Sequence, residues 1–505
     1  METYTNPILY ADYSDLDVIR VGNDFYMVAS SFTYLPGVPI LHSDDLVHWK
    51  IINYAVKSLP FEKYSKPSHG SGTWAPSIRY HDGEFFIFIP LVDEGIMVAR
   101  STDIYGDFRI NMLTRTKGWI DPCPIWDSDG KTYMVFAFAF SRCGLKHKLA
   151  LIETDSSFTK TIGDYSIIFD GTVIAPTSEG PKAYYMNGYH YILFPAGGVA
   201  TGWQCCIRSR SVKGPYEYRT VMKRGSTSVN GPHQGGLVDA PDGSLWFLHF
   251  QDVIELGRIT HLQPACITAD GWIFIGSDQD GDGIGEPVRE WSVPVADGHC
   301  YSISTSDEFD SDELSLQWQW QANPDSSFYS LAEKKGCLRM FCIRNDERDN
   351  LVWYAPNALT QIPQSDSFTA DCLLTLSGSS DGDFAGIGMI GHEYGFIGAA
   401  YDGRDYALSV FRGHVSNVTY SGQAEESDVA SFPLSSGCVY LRIELRKDKN
   451  YFLSYSEDGI DYTVIDHIFP LERATWTGAK LSLWAGNRKN NISSGFADFD
   501  YFRLS

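Results

Sequence analysis

This 505-residue chain lacks long apolar runs and has fewer basic than acidic residues. No apolar stretch approaches the length of a membrane span, and residues 1–7 contain neither a basic region nor an apolar core of a secretory leader. Lys and Arg number 40 against 63 Asp and Glu, so the net charge is −23. This charge argues against nucleic acid and anionic membranes as partners, whereas a neutral, hydroxyl-rich ligand is not repelled.

Paired cysteines are also missing from the pattern. Ten cysteines are present, none forms a Cys-x-x-Cys motif, and Cys205 and Cys206 are adjacent, which makes a poor disulfide framework. We therefore expect free thiols in a reducing compartment, and a cytoplasmic protein.

Helical periodicity is nearly absent, and aromatic residues make up 14% of the chain, which favours β-structure. Five copies of one pattern recur in the first half, each a tight turn rich in Gly, Asn or Asp followed by an apolar strand. The aromatic residues that anchor these strands are Tyr26, Phe86, Tyr133, Tyr191 and Trp246, at spacings of 60, 47, 58 and 55 residues. Asn-Gly and Asp-Gly supply the positive φ of hairpin turns. Repeats near this period predict a five-bladed β-propeller over residues 1–295.

Chemically useful residues precede the turns at nearly constant offsets. Counting back 11 to 13 residues from each anchor gives Asp15, Trp74, Asp121, Glu179 and His233. If the copies are equivalent blades, these side chains converge at one mouth of the central channel. Three carboxylates, a Trp and a His around one pocket are typical of a site that cleaves sugars.

The second half has a different pattern. Short alternating strands separated by turns predict a β-sandwich over residues 303–505, whose Trp318 and Trp320 are expected to fill its own core. The Gly- and Asp-rich residues 276–287 form the linker region. Asp278, Asp280, Asp282 and Gly283 copy the first half of a calcium loop, but Arg289 stands where Glu is needed, so an exposed acidic turn is favoured over a structural Ca²⁺ site.

The chain resembles glycoside hydrolase family 43 over essentially its whole length, particularly the β-xylosidase and α-L-arabinofuranosidase members. The resemblance rests on short motifs spread in order over the blades: Asn6-Pro7-Ile8, Tyr13-Ser14-Asp15-Leu16-Asp17-Val18, Ser30-Ser31-Phe32, Thr73-Trp74-Ala75-Pro76, Ile120-Asp121-Pro122, Glu179-Gly180-Pro181, Gly231-Pro232-His233-Gln234-Gly235 and Gly257-Arg258-Ile259-Thr260-His261. It implies a five-bladed propeller with a C-terminal β-sandwich, and an enzyme that inverts anomeric configuration. The family usually has Asp-Pro where Asp15 is followed by Leu16.

The resemblance also implies roles. Asp15 matches the general base, Glu179 the general acid, and Asp121 the carboxylate that orients the acid and, when ionised, raises its pKa. Phe32 and Trp74 match residues that pack on the sugar, and Arg258 matches an arginine that binds sugar hydroxyls. His233 is expected to bind a hydroxyl, a water or a channel ion, and Trp203 to line the pocket mouth.

The expected activity is exo-acting release of a terminal pentose, xylose first and arabinofuranose second, from xylo- or arabino-oligosaccharides, without a cofactor for the chemistry. A non-catalytic sugar-binding propeller is the remote alternative. A fructan hydrolase or sucrase is disfavoured because Tyr13-Ser14-Asp15-Leu16 does not match the Asn-Asp-Pro-Asn motif of those enzymes. Asp12 and Asp17 are expected to be turn or hydrogen-bonding residues, and the oligomeric state stays open.

Overall fold

The fold is almost entirely β in a computed structural model that describes residues 2–344, 350–416 and 422–505. The described helices are a single α-turn at Phe140–Cys143 and three short 3₁₀ segments at Glu62–Ser65, Ile254–Leu256 and Val352–Tyr354. Within these ranges, no helix is long and apolar enough to cross a membrane. All ten cysteines lie in the described part of the chain and are unpaired, as the sequence predicts.

The first half forms five antiparallel sheets of four strands each. The strands, in chain order, are Asp17–Val21, Asp24–Val28, Gly37–Ser43 and Lys50–Val56 in blade 1; Ser77–His81, Glu84–Leu91, Gly95–Ser101 and Arg109–Thr114 in blade 2; Trp119–Trp126, Thr132–Phe138, Lys148–Thr154 and Thr161–Asp170 in blade 3; Lys182–Met186, Tyr189–Ala196, Trp203–Ser209 and Glu217–Met222 in blade 4; and Gly235–Asp239, Leu245–Asp252, Arg258–Ile267 and Ile273–Ile275 in blade 5.

These sheets form a five-bladed propeller, which confirms the prediction from the repeats. In each blade the sheet order follows the chain order, and the first strands of successive blades contact one another around the central channel. Every anchor aromatic lies on the second strand of its blade, just after the hairpin turn. Gly83 and Gly188 occupy two of these turns with φ of 82° and 77°, conformations that suit glycine.

The N-terminal segment closes the ring of blades. Thr3–Thr5 pairs with Glu290–Ser292, and the Asn6 side chain donates to the carbonyls of Leu262 (2.7 Å) and Val288 (2.9 Å). The first residues of the propeller are therefore tied to its last blade.

The second half is a β-sandwich of two antiparallel sheets. One sheet has the order Gln319–Trp320, Leu359–Gln361, Lys480–Asn487, Asp383–Ile390, Glu393–Tyr401, Tyr406–Ser416, Gln423–Pro433. The other has the order Tyr329–Ser330, Leu338–Phe341, Phe496–Leu504, Phe368–Ser377, Cys438–Leu445, Asn450–Ser456, Thr463–Val464, with Phe469–Pro470 also paired to Asn450–Ser456. Burial alternates residue by residue along Phe368–Ser377, so one face of that strand enters the core. Trp318 and Trp320 are buried in this core, as expected.

Backbone hydrogen bonds join the sandwich directly to the propeller. Leu35 and Trp320 exchange both N–H···O bonds, at 2.9 and 2.6 Å, across the domain boundary. The Asn323 side chain both donates to the carbonyl of Leu59 and accepts from its N–H. The sandwich is thereby held against the face of the propeller on which the candidate site lies.

Candidate active site

Four of the residues predicted from the repeats lie two or three residues before the first strand of their blade, and Asp121 is the third residue of its strand. In three blades the backbone N–H of the predicted residue donates to a carbonyl near the end of the second strand: Trp74 to Pro90 (3.1 Å), Glu179 to Pro195 (3.3 Å) and His233 to Phe250 (3.1 Å). The first strands all run away from this mouth of the channel, so the five side chains share one mouth.

Asp15 and Asp121 both have a left-handed backbone, with φ of 54° and 56°. Asp121 lies where the pairing of its strand shifts register between Ile120 and Cys123, a β-bulge. Residues other than glycine rarely adopt positive φ, and such strain concentrates at functional sites.

The carboxylate of Asp15 is fixed by two side chains. Arg258 Nη1 donates to Oδ1 at 2.9 Å and to Oδ2 at 3.1 Å, and Ser30 Oγ donates to Oδ2 at 2.7 Å. All three residues are buried, and the Arg258 guanidinium also lies 5.0 Å from the centre of the Phe250 ring. A charge-assisted contact of this kind holds a carboxylate in one orientation.

Asp121 is the most buried of the three carboxylates. Its Oδ2 accepts a hydrogen bond of 2.7 Å from the backbone N–H of Gly180, the residue after Glu179. Gly180 has φ 62°, and a Cβ there would come within 2.7 Å of the Gln234 side chain, so glycine is required.

Burial, followed by the nearby Glu179 and Asp15 carboxylates, raises the pKa of Asp121 from 3.8 to about 8. The charges of Glu179 and Asp15 act on Asp121 because all three groups share one pocket. A pKa raised in this way favours retention of a proton by the Asp121–Glu179 pair, and the expectation of an ionised Asp121 stays a prediction. Burial is the largest cause of the raised pKa, because Asp121 is only 4% exposed.

His233 lies directly beside Glu179. Its Nε2 is 3.3 Å from Glu179 Oε1, without hydrogen-bond geometry, and both ring nitrogens are buried and lack a hydrogen-bond partner among the described residues. The ring packs 5.1 Å from that of Phe250. Two available ring nitrogens next to an acid suit the binding of a hydroxyl group or water.

Phe32 and Trp74 form an aromatic wall between blades 1 and 2. Their backbones are linked through Thr73, which exchanges hydrogen bonds with Phe32, and their rings meet edge to face at 5.9 Å. A Cβ at Gly72 would lie 1.9 Å from the Phe32 carbonyl oxygen, so only glycine permits this approach. Trp74 Nε1 is buried and has no partner within the described ranges, which leaves a donor available at the wall.

The sandwich contributes a third aromatic ring that sequence reasoning missed. Trp476 lies in a sandwich loop with φ 68°, is 43% exposed, and meets the ring of Trp74 edge to face at 6.1 Å. Its loop is held by Asp12, which accepts from the N–H of Gly478 (2.9 Å) and of Arg258 (2.9 Å). No local pattern around residue 476 signals this placement.

Comparison with known proteins identifies the family. Residues 4–273 match the family described as "Glycosyl hydrolases family 43", and residues 306–505 match the "Beta xylosidase C-terminal Concanavalin A-like domain". The chain belongs to glycoside hydrolase family 43. A protein of Xylanibacter ruminicola named "Putative beta-xylosidase" is 36% identical over 491 residues, which cover 95% of this chain and 85% of that protein. A "Beta-xylosidase" of Formosa agariphila is 30% identical, covering 99% and 90%.

Solved structures agree over both domains. The crystal structure of a family 43 protein from Bacillus licheniformis superposes with a TM-score of 0.84 at 26% identity, covering 100% of this chain and 99% of that one. The protein is therefore a glycoside hydrolase with a propeller and a sandwich.

Two acidic neighbours of Asp15 serve this family 43 enzyme as hydrogen-bonding residues, as the sequence predicts. Asp12 connects Arg258 to the sandwich loop, as described above. Asp17 is fully buried, and its Oδ2 accepts from Arg79 Nη1 (2.6 Å) and from the N–H of Ile78 (3.0 Å). Neither residue competes with Asp15 for the pocket.

Trp203 lies at the start of the third strand of blade 4 and is half-buried against the apolar cluster of blades 3 and 4, which Trp74 also contacts. A Cβ on Gly197 would come within 2.5 Å of its ring. Its contact with sugar stays a prediction.

The three aspartates of residues 276–287 lie on an exposed loop. Ligand oxygens of Asp278, Asp280 and Asp282 come within 4.8 Å of one another, and all three residues are exposed. Lys223 Nζ donates to Asp280 at 2.9 Å and also to Asp282. A protein cation thus already neutralises part of this charge, which favours the acidic turn.

Proposed function

We propose that this enzyme is an exo-acting, inverting β-xylosidase that releases terminal xylose from xylo-oligosaccharides. The observation that carries the proposal is the convergence of Asp15, Asp121 and Glu179 at one propeller mouth, with Trp476 of the sandwich at its rim. The two relatives named as β-xylosidases support xylose as the sugar.

In the proposed reaction, Asp15 removes a proton from water as the water oxygen attacks the anomeric carbon. Glu179 donates a proton to the departing glycosidic oxygen on the opposite side. Such a single displacement needs the two carboxyls about 6.5–9.5 Å apart so that water fits between base and sugar. Arg258 and Ser30 hold Asp15 ready to accept the proton.

Acid catalysis needs a proton on the acid near neutral pH, and Asp121 helps to retain that proton. Two like charges in one site resist joint ionisation, so the Asp121–Glu179 pair retains a proton near neutral pH. The short bond from Gly180 N–H to Asp121 fixes the backbone that carries Glu179. Asp121 is therefore proposed as the residue that both orients the acid and keeps a proton in the pair.

A pocket closed on one side accepts a chain end, whereas an open groove accepts internal bonds. The rings of Trp74 and Trp476 approach from different domains at 6.1 Å and narrow the mouth, which supports exo action. Phe32, Trp74, His233 and Arg258 are proposed as the groups that surround the terminal sugar.

Assays with p-nitrophenyl β-D-xylopyranoside and p-nitrophenyl α-L-arabinofuranoside test the proposal. We expect hydrolysis of both pentosides with a higher kcat/KM for the xyloside. A higher kcat/KM for the arabinofuranoside would make the enzyme an arabinofuranosidase. Binding of xylobiose without hydrolysis of either substrate would overturn catalysis and favour a sugar-binding propeller.

We also propose that the enzyme acts in the cytoplasm on imported oligosaccharides. Ten unpaired cysteines support a reducing compartment, and Cys143, Cys266 and Cys300 are exposed. Fractionation of the producing cells tests this, since recovery of the activity outside the cell would contradict it.

A further inference from the structure

The propeller channel has a second mouth, on the face opposite the catalytic carboxylates. The first strand of each blade starts beside the candidate active site and ends at this second mouth. A cavity of about 640 Å³ opens there, lined by the distal residues of all five first strands. This volume falls within the range of about 300–1,000 Å³ that is usual for small-molecule sites.

A buried ionic cluster separates this cavity from the catalytic pocket. Lys182 and Asp17 are fully buried, with Lys182 Nζ 4.0 Å from Asp17 Oδ2. Lys182 also donates to the Pro76 carbonyl (2.8 Å) and Ser77 Oγ (2.7 Å), and Arg79 donates to Asp17 from the cavity side. The second mouth is therefore a separate site rather than an extension of the first.

Exposed aromatic rings stand around the cavity. Tyr80 of blade 2 is 43% exposed and Tyr185 of blade 4 is 56% exposed, and the structure gives neither hydroxyl a hydrogen-bond partner among the described residues. Trp126 of blade 3 presents an indole stacked on His81 at 4.4 Å. Aromatic side chains combine an apolar face with a polar edge, the combination that packs against the C–H faces of sugar rings.

The charged groups at this mouth are paired with one another. Arg20 binds Asp239, Arg79 binds Asp17, and His190 Nε2 lies 3.2 Å from Asp127. In the described part of the chain, both arginines that line the cavity already contact a carboxylate, so neither is left for an anionic ligand. Paired ions beside exposed rings favour a neutral ligand that offers many hydroxyl groups.

We propose that the second mouth is an accessory carbohydrate-binding site that holds a neutral oligosaccharide chain while another chain is cleaved at the first mouth. Tyr80 and Tyr185 stack on the sugar units, and the ion pairs at the rim accept and donate hydrogen bonds to their hydroxyls. The identity of the chain as a xylo-oligosaccharide rests on the proposed function, whereas the presence of the site does not.

Calorimetric titration of the full-length protein tests this site. All proteins in this test carry Asp15→Asn, which prevents hydrolysis. The test variant adds Tyr80→Ala and Tyr185→Ala. The control variant adds Tyr105→Ala instead, because Tyr105 is 56% exposed, like Tyr185, but lies outside the cavity. Xylotetraose and arabinotetraose are the probes. We expect two binding events per chain in the background and in the Tyr105 control. The Tyr80→Ala/Tyr185→Ala variant should retain the binding event at the catalytic pocket. It should bind the oligosaccharide at the second mouth at least about tenfold more weakly.

The same stoichiometry in all three proteins, or a single event in the background, would overturn the proposal. Loss of the second event for either probe supports it. In the otherwise wild-type enzyme, the two tyrosine changes should leave kcat/KM for the aryl xyloside within about twofold, since Tyr80 and Tyr185 lie beyond the buried cluster. Failure of the wild-type enzyme to cleave the aryl xyloside would instead refute the proposed function, while the titration still reports the second site.

Discussion

Arg258 Nη1 lies 2.9 Å from Asp15 Oδ1, across 243 residues of chain, and the contact joins the last blade of the propeller to the first. Arg258 is buried, and its backbone N–H donates a hydrogen bond to the carboxylate of Asp12. The orientation of the proposed base therefore depends on closure of the propeller ring as well as on residues near Asp15.

Replacing Arg258 tests that dependence. Arg258→Met removes the donor and leaves Asp15 with Ser30, so we expect kcat on p-nitrophenyl xyloside to fall about 100-fold, the loss that misplacement of a reacting group by about 1 Å can cause. Arg258→Lys should recover part of the activity because it restores a cation. Equal activity of the Met variant and the wild type would separate Arg258 from the positioning of Asp15.

Glu179→Ala tests the assignment of the acid. A poor leaving group needs protonation, so activity on xylobiose should fall by about 10²–10⁴-fold. An aryl xyloside with an acidic phenol needs little protonation and should lose much less. Steady-state kinetics on both substrates measure these losses. Asp15→Ala serves as the comparison, because it should lose most of its activity on both substrates. Identical losses for the two substrates in Glu179→Ala would mean that Glu179 is not the acid.

Asp121→Asn tests the buried proton through stability. The pKa of Asp121 is raised to about 8 in the folded protein, against 3.8 as its ordinary value. The protonated carboxyl of Asp121 therefore contributes fully to the free energy of unfolding below about pH 4. This contribution is lost as pH rises through about 8. Asn imitates the protonated carboxyl and cannot ionise. The variant should gain stability relative to the wild type as pH rises from about 4 to about 8, by on the order of a few kcal/mol in total.

Denaturant unfolding at several pH values measures this difference. Asp82→Asn is a suitable control, because Asp82 also has positive φ but its side chain is 91% exposed. It should show the same pH dependence as the wild type. Parallel curves for Asp121→Asn and wild type would show that Asp121 does not hold the proton.

Trp476→Ala tests the part that the sandwich plays in the pocket. The ring is 43% exposed and touches Trp74, so its loss should cost little stability but weaken the binding of oligosaccharides. We expect KM for xylotriose to rise about tenfold, the effect of losing one stacked ring. Trp291→Ala removes a ring of similar exposure, 42%, on the short strand Glu290–Ser292 that pairs with Thr3–Thr5, and should leave KM unchanged. The same KM for both variants would place Trp476 outside the substrate site.

Much of the propeller could be predicted because its signals are local. A turn such as Asp82-Gly83 or Asn187-Gly188 specifies a hairpin within a few residues, and the next strand follows from its apolar run. Since the blades repeat, the offset from each turn also located Asp15, Asp121 and Glu179 at one mouth. The alternation of the sandwich strands similarly indicated the class of the second domain.

The remaining features depend on contacts between distant residues. Trp476 reaches Trp74 only because its loop is held by Asp12, and nothing near residue 476 in sequence encodes that bond. The raised pKa of Asp121 depends first on its burial, which spacing along the chain cannot reveal.

Proton NMR during hydrolysis of xylobiose or an aryl β-xyloside tests the central claim, that Asp15 acts as a base and Glu179 as an acid in a single displacement. The first xylose released should be the α-anomer, with the β-anomer appearing later by mutarotation. First appearance of the β-anomer would show retention of configuration through a covalent intermediate and would contradict the assignment of Asp15 as a base.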